Sequence, residues 1–145
     1  MQLEPIYAAF AKQLATAGVF ANPNPRRPLL PNSISSAQMP AVFMEQGNPT
    51  IVNDFSGVGS KWTIPVDVII YDQIGSDPNA IPAQRLNVLV DAVRTAMKPS
   101  TQPKQTLGGL VNNCVVNGAV EFMEAKQGQI SAAIIPFHIL VGDDQ

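Results

Sequence analysis

At 145 residues, with 14% charged side chains and a formal net charge of −2, the chain has the size of one domain and no excess of basic groups. Domains typically run to about 100 to 150 residues, so a single domain over 1–145 with a single core is expected. Nine Lys and Arg against eleven Asp and Glu exclude the basic footprint that specific nucleic-acid binding needs.

Cysteine content and hydropathy indicate the compartment. The lone Cys114 cannot form an internal disulfide, as expected for a protein that matures in a reducing cytosol. Residues 1–18 lack the basic end and the continuous apolar stretch of a secretory signal. The longest apolar run, Ala132 to Phe137, is far shorter than the roughly 20 residues of a membrane span. A soluble protein without a membrane partner is expected.

The low charge content leaves two interpretations of the surface open. Soluble domains usually carry about 25% charged residues, so other groups must keep this surface soluble or covered. Asn, Gln, Ser and Thr are abundant and could form a polar surface. Alternatively, much of the surface is buried against other subunits, because interface cores are depleted of charge.

The first forty residues predict a helix followed by an extended arm. Apolar side chains recur at three- and four-residue spacings between residues 4 and 18, and Gly18 is a natural stop. Residues 21–40 show no periodicity, and their five prolines exclude a regular hydrogen-bonded element. Structureless stretches of this length are uncommon inside compact domains and are usually functional or disordered.

The middle of the chain predicts two strands and a second helix. A short strand is expected over Ala41 to Gln46, then a loop over 47–60, then a strand from Trp62 to Ile70 with period-two alternation. Pro65 removes a hydrogen-bond donor from that strand, which indicates an edge position or a bulge. The second helix is expected from Pro82 to Lys98 and to stop at Pro99. Its apolar stripe consists of Leu86, Leu89, Val90, Val93 and Met97.

The last third predicts a hairpin, with strands at Asn113 to Met123 and Ile130 to Val141. The resulting order, α-β-β-α-β-β, favours an α+β two-layer sandwich. In it, a mainly antiparallel four-stranded sheet is covered by two helices on one face and carries the long Pro-rich arm.

Motifs for catalysis are missing from the sequence. It contains no phosphate-binding loop, nucleophile elbow, C-x-x-C or H-E-x-x-H motif. Gly57-Val58-Gly59 begins like a dinucleotide fingerprint, but Trp62 stands where the third glycine belongs and a strand follows where a helix should. His138 is the only histidine and Cys114 the only cysteine, which are too few soft ligands for a typical metal site. A single histidine in a strand more often has a structural role. We expect no catalytic, cofactor or metal site.

Several segments together carry a family resemblance. They are the helix Ile6 to Ala17, the strands Met39 to Met44 and Trp62 to Ile70, the stretch Thr106 to Val111, the small-residue strand with Cys114 and Gly118, and the closing Ala132 to Ile139. In this order they resemble the tail-terminator or tail-completion (neck) proteins of tailed phages. The resemblance covers nearly the whole chain, rests on element order and size, and is most specific in the C-terminal third.

The resemblance implies a structural virion protein that assembles in the host cytoplasm and resides in the tail or neck. Such proteins form a ring, usually a hexamer, that binds the last ring of tail tube protein, stops polymerisation and offers a docking face to the head-tail connector or stopper. DNA passes through the lumen without specific binding, and a contractile tail adds sheath protein as a partner. The long arm departs from the family pattern, so another neck or connector component is the nearest alternative.

Candidate contacts to a neighbouring subunit or a tube ring lie in the arm and in the 47–60 loop, where a lone domain would leave apolar groups exposed. They are Arg26, Arg27, Leu29, Leu30, Ile34 and Phe55. Two rival hypotheses stay open. One is a small α+β enzyme that uses His138 with a carboxylate such as Glu121. The other is a monomeric binding or adaptor module.

Overall fold

A computed structural model describes residues 1–54, 59–73, 75, 78–99, 103–126 and 129–142. Two helices and six strands make up its regular structure. The elements are α1 (Leu3–Ala15), β1 (Ala41–Gln46), β2 (Thr50–Asp54), β3 (Gly59–Gln73), α2 (Pro82–Ala96), β4 (Asn113–Val116), β5 (Glu121–Met123) and β6 (Ile130–Gly142), with single 3-10 turns at Pro31–Ser33 and Ser36–Gln38. The α+β class and the order of helices among strands are as predicted from the sequence.

The helices follow their apolar stripes and end near the predicted stops. Helix α1 ends at Ala15, shortly before Gly18, whose φ of 70° lies in the left-handed region that favours glycine. Helix α2 begins with Pro82 in its first turn, where a missing N–H costs nothing. The buried Gln105 amide lies within 3.3 Å of the carbonyl oxygens of Met97 and Lys98 and donates to them, so it satisfies groups just beyond α2.

All strand pairings in the described residues are antiparallel, and the sheet has six strands instead of the predicted four. Strands β3 and β6 form the long central pair, with Lys61 opposite Gly142 and Gln73 opposite Ile130. Strands β1 and β2 lie in succession along one side of β3, and β4 and β5 lie in succession along the outer side of β6. Each outer edge is therefore one path broken into two strands.

The break between β1 and β2 lies at Pro65, and it corrects the prediction of a loop over 47–60. Gln46 pairs with Val66 and Thr50 pairs with Thr63, so three residues of the edge path face two residues of β3. The Pro65 carbonyl accepts the Gly47 N–H at 2.8 Å. Because the nitrogen and the carbonyl of one strand residue point to the same side, the Pro65 nitrogen, which has no hydrogen to donate, also faces the break between β1 and β2. Pro65 thus marks a bulge, the second of the two predicted alternatives, and the chain beyond the bulge returns to strand as β2.

A second proline, Pro136, explains why the predicted strand over Asn113 to Met123 is not continuous. Strand β4 pairs up to Val116 opposite Phe137, and β5 resumes with Glu121 opposite Ile134. The Pro136 carbonyl accepts the Asn117 N–H at 2.9 Å, so its missing donor also faces the break. The four residues of the break oppose two on β6, and this bulge bends the outer path away from β6.

One face of the sheet and both helices form the main core. Alternate side chains of β3 and β6 point to this face, and Phe10 of α1 packs edge-on against Phe137 of β6 at 5.5 Å between ring centroids. The apolar stripe of α2 packs on the same face of β3, with Trp62 at its margin. Gln13 of α1 donates to the Ala96 carbonyl at 2.6 Å, which joins the two helices.

Candidate assembly surface

The first half of the arm lies along the outer edge of β1. The Asn22 side-chain amide makes the two hydrogen bonds that a neighbouring strand would make to Val42. Its oxygen accepts the Val42 N–H at 2.8 Å, and its nitrogen donates to the Val42 carbonyl at 2.7 Å. The Met44 N–H donates to the Pro25 carbonyl at 2.9 Å. An open strand edge presents unpaired groups to other chains, and these contacts close the edge of β1 within the chain itself.

The second half of the arm covers part of the sheet face that lies opposite the helices. Ile34 is 7% exposed and forms a second, smaller core with Ala41 and Phe43 of β1. Leu29, Met39 and Tyr71 pack against this core from its margin. Residues 21–40 are irregular, as predicted, but they are held against the sheet along most of their length.

The predicted contact residues of the arm have different environments. Arg26 forms a bidentate ion pair with Glu4 of α1. The hydrogen bonds and the positive charge of Arg26 lower the pKa of Glu4 below its usual value. Arg27 is exposed, and Leu30, at 75% exposure, is the most exposed large apolar side chain in the described residues. Leu29 is half-buried against the small core, and Ile34 is internal and so is not available to a partner. Phe55 lies outside the described residues.

The opposite edge of the sheet is not capped in this way. Among the described residues, no arm or loop hydrogen-bonds along the outer side of β5, and of β4 only the Cys114 N–H is satisfied there, by the Asn113 side chain at 2.9 Å. Four large apolar side chains of this edge are 37% to 51% exposed: Val115, Val116, Phe122 and Met123. These four residues were not among the predicted contacts, although two adjacent apolar residues in a strand, such as Phe122 and Met123, must point to opposite faces and so indicate that one is exposed.

A cavity of about 470 Å³ lies beside the arm, and one of about 600 Å³ lies at the far end of the sheet. The first is bounded by Arg26, Pro28 and the end of β1. The second is bounded by Val52, Lys61, Trp62, Leu140 and Gly142. Polar side chains line both cavities, with Glu45 and Gln46 beside Arg26 in the first and Ser60, Thr63 and Asn112 in the second.

The pair proposed by the enzyme hypothesis does not form. Glu121 pairs with Ile134, and His138 lies four residues further along β6, which is roughly 13 Å at about 3.3 Å per residue. The nearest hydrogen-bonding side chain to His138 is an amide, with Asn117 Nδ2 at 3.3 Å from its Nε2 atom. Burial raises the pKa of the Cys114 thiol to about 12, which makes it a poor nucleophile.

In the part of the chain that the structure describes, no group of three His, Cys, Asp or Glu side chains is placed to hold a metal ion. No helix of that part is both long and apolar enough to cross a membrane. Two exposed surfaces stand out: the arm, with Arg27 and Leu30, and the uncapped β4-β5 edge.

No protein-family model matches the chain, and no curated protein matches it in sequence. Among solved structures, it is similar to a chain described as the virion of a native gene transfer agent (GTA) particle, with a TM-score of 0.52 over 93% of this chain and 92% of that chain. A virion contains this fold. At 11% sequence identity the likeness shows the fold alone, and it extends from end to end of both chains.

Proposed function

We propose that the protein is a structural virion protein of a phage-like particle. The observation that carries this proposal is the likeness of fold to a gene transfer agent virion chain, which covers nearly all of both chains. The end-to-end coverage matters because it includes the helices and the sheet, so the likeness does not depend on a common sheet motif alone. The resemblance of the sequence to tail-terminator proteins of tailed phages supports the same class of particle.

Within that class, we propose that the chain is a tail terminator. Copies form a ring, a hexamer, that binds the last tail tube ring, stops tube growth and presents its other face to the head-tail connector or stopper. Stopping growth requires two unlike faces, which a head-to-tail ring provides. The two sheet edges support such a contact because they differ: the arm closes the β1 part of one edge, and the β4-β5 edge is uncapped.

The charge distribution suits a ring through which DNA slides. A net charge of −2 and the absence of a basic cluster beyond Arg26-Arg27 leave little attraction for phosphate, so the lumen would not hold DNA in place. We propose no catalytic step, because His138 faces an amide and the single thiol is buried. In a contractile tail, sheath protein would be a further partner.

Imaging of the purified protein and of particles tests this function. Negative-stain images should show closed rings with a central hole, and an antibody against the protein should label particles at the junction of tail tube and head. Label elsewhere in the neck would favour another connector component. A monomer that is absent from purified particles would refute the proposal and favour a binding module.

A further inference from the structure

The arm presents one cation and one apolar side chain that the chain itself does not use. Arg27 is exposed and has no ion-pair partner among the described residues, whereas the adjacent Arg26 is bound to Glu4. Leu30 is 75% exposed, although Leu29 beside it packs against the small core over β1. The arm is therefore fixed to helix α1 at Arg26 and to the sheet at Leu29, and Arg27 and Leu30 between and beside these contacts are exposed.

The β5 edge presents the complementary chemistry. Glu121 and Glu124 are exposed carboxylates, and Met123 between them is 51% exposed. Lys126 follows two residues later, so the segment keeps an excess of one negative charge. Glu121 and Met123 pair with Ile134 and Ala132, so both point to the sheet face that the arm partly covers. We call Glu121, Met123 and Glu124 the β5 patch.

The small core under Ile34 and the β5 patch lie at the same level along the strands, on opposite edges of the sheet, whereas Arg27 lies further along β1, where the arm passes Met44 and Glu45. Glu121 is opposite Ile134, which is opposite Ile69, which is opposite Phe43, where the arm packs. In the same way, Met123 is opposite Ala132, which is opposite Tyr71, which is opposite Ala41. Three strand spacings separate the two edges, roughly 14 Å at about 4.8 Å each.

We propose that Arg27 and Leu30 of one copy bind the β5 patch of the next copy, with the guanidinium against Glu121 and Glu124 and the Leu30 side chain on Met123. This rests on the proposed function, for which it names the subunit contact. A contact between two different surfaces joins copies head to tail. Contacts of this kind close into a ring when the rotation from one copy to the next divides a full turn, and otherwise they continue as a helical filament.

Charge reversal tests the polar half of the contact. Size-exclusion chromatography with light scattering should show that Arg27→Glu converts rings to monomers, and that Glu121→Lys with Glu124→Lys does the same. Combining all three changes in one chain should restore the ring, because every contact then pairs the reversed charges. Rings that persist in Arg27→Glu, or a triple variant that stays monomeric while both parents fold, would overturn the proposal.

Mixing two defective variants tests the polarity of the contact. Leu30→Asp leaves a working β5 patch, and Met123→Asp leaves a working arm. Each alone should be monomeric, and an equimolar mixture should give heterodimers and nothing larger, because only one functional contact can form. Val88→Asp, which places the same charge at a 63% exposed position of α2, should leave rings intact. A mixture that remains monomeric, or that gives rings, contradicts the proposal.

These results separate the contact from the function. If the unmodified protein forms rings and caps tubes while Arg27→Glu and Leu30→Asp together leave those rings unchanged, the contact is wrong and the terminator function stands. If the unmodified protein forms no ring either alone or on tail tubes, the ring function itself is wrong, and the contact falls with it.

Discussion

The backbone of Gly47 lies directly against the ring of Pro65. A Cβ atom at position 47 would stand 2.7 Å from Pro65 Cγ and 3.0 Å from the Pro65 carbonyl oxygen, distances at which one of the two strands must move. The contact lies at the bulge where β1 gives way to β2. Gly47 and Pro65 therefore act together at the bulge that separates β1 from β2 on the outer edge of the sheet.

Gly47→Ala should destabilise the protein by about 1 to 3 kcal/mol, the usual cost of forcing an extra carbon into a packed site. Pro65→Ala removes the ring carbon that the new methyl group would strike. The double variant should therefore cost less than the sum of the two single variants. Urea unfolding of all four proteins gives this coupling, and strictly additive free energies would show that the Gly47–Pro65 contact is not responsible.

The ion pair between Asp72 and Arg85 should be important for holding α2 on the sheet. The Asp72 carboxylate is 1% exposed and accepts hydrogen bonds from Arg85 Nε at 2.7 Å and Nη2 at 2.9 Å. Arg85→Ala leaves this carboxylate buried without its partner and should cost about 3 kcal/mol or more. Asp72→Asn, which leaves no buried charge, should cost less, in the range of about 1.5 to 3 kcal/mol. Equal midpoints of thermal unfolding for Arg85→Ala and the unmodified protein would contradict this role.

Adjacent positions on α2 give a matched test of the core. Leu89 is 7% exposed in the core, whereas Val88 is 63% exposed. Leu89→Ala should cost about 2 to 5 kcal/mol, and Val88→Ala should stay within about 0.5 kcal/mol. Chemical unfolding of both variants compares the two faces of the helix, and similar losses at both positions would show that this helix face is assigned incorrectly.

Cys114 should react slowly in the folded protein. Burial raises its pKa from 9.0 to about 12, which leaves roughly a thousandfold less thiolate at neutral pH. Because the thiolate is the reactive form, iodoacetamide should label the native protein far more slowly than the urea-unfolded chain. Labelling should accelerate as the pH rises toward 12. Since the chain has a single cysteine, the mass change reports this site alone, and equal labelling rates in the two states would contradict its burial.

The periodic segments could be predicted from the sequence, and the sheet edges could not. Both helices, the β1 bounds and the core stripe of α2 follow from side-chain spacing, which is a local property. Residues 50–54 were predicted to be loop because a strand of this length carries a weak sequence signal. The return to strand after the bulge depends on Pro65, which lies on the neighbouring strand β3 and not in the segment itself. The capping of β1 by Asn22 depends on residues twenty positions apart, which no local pattern records.

The candidate surface shows the same division. Proline content alone indicates an irregular arm, but not which of its apolar side chains remain exposed. Ile34 and Leu30 looked equivalent in the sequence, and only the fold distinguishes them, because Ile34 packs on Phe43 whereas Leu30 faces outward. The β5 patch was missed because its exposure follows from lying at a sheet edge, which depends on strand order.

The length of tail tubes made without this protein tests the terminator function most directly. Particles should be produced with the gene intact, with the gene deleted, and with His138→Ala in its place, and tubes should be measured by electron microscopy. Deletion should give tubes of abnormal, extended length or tubes that fail to join heads, because nothing occupies the growing end. His138→Ala should give normal particles if it folds. Tubes of normal length joined to heads in the complete absence of the protein would contradict the account.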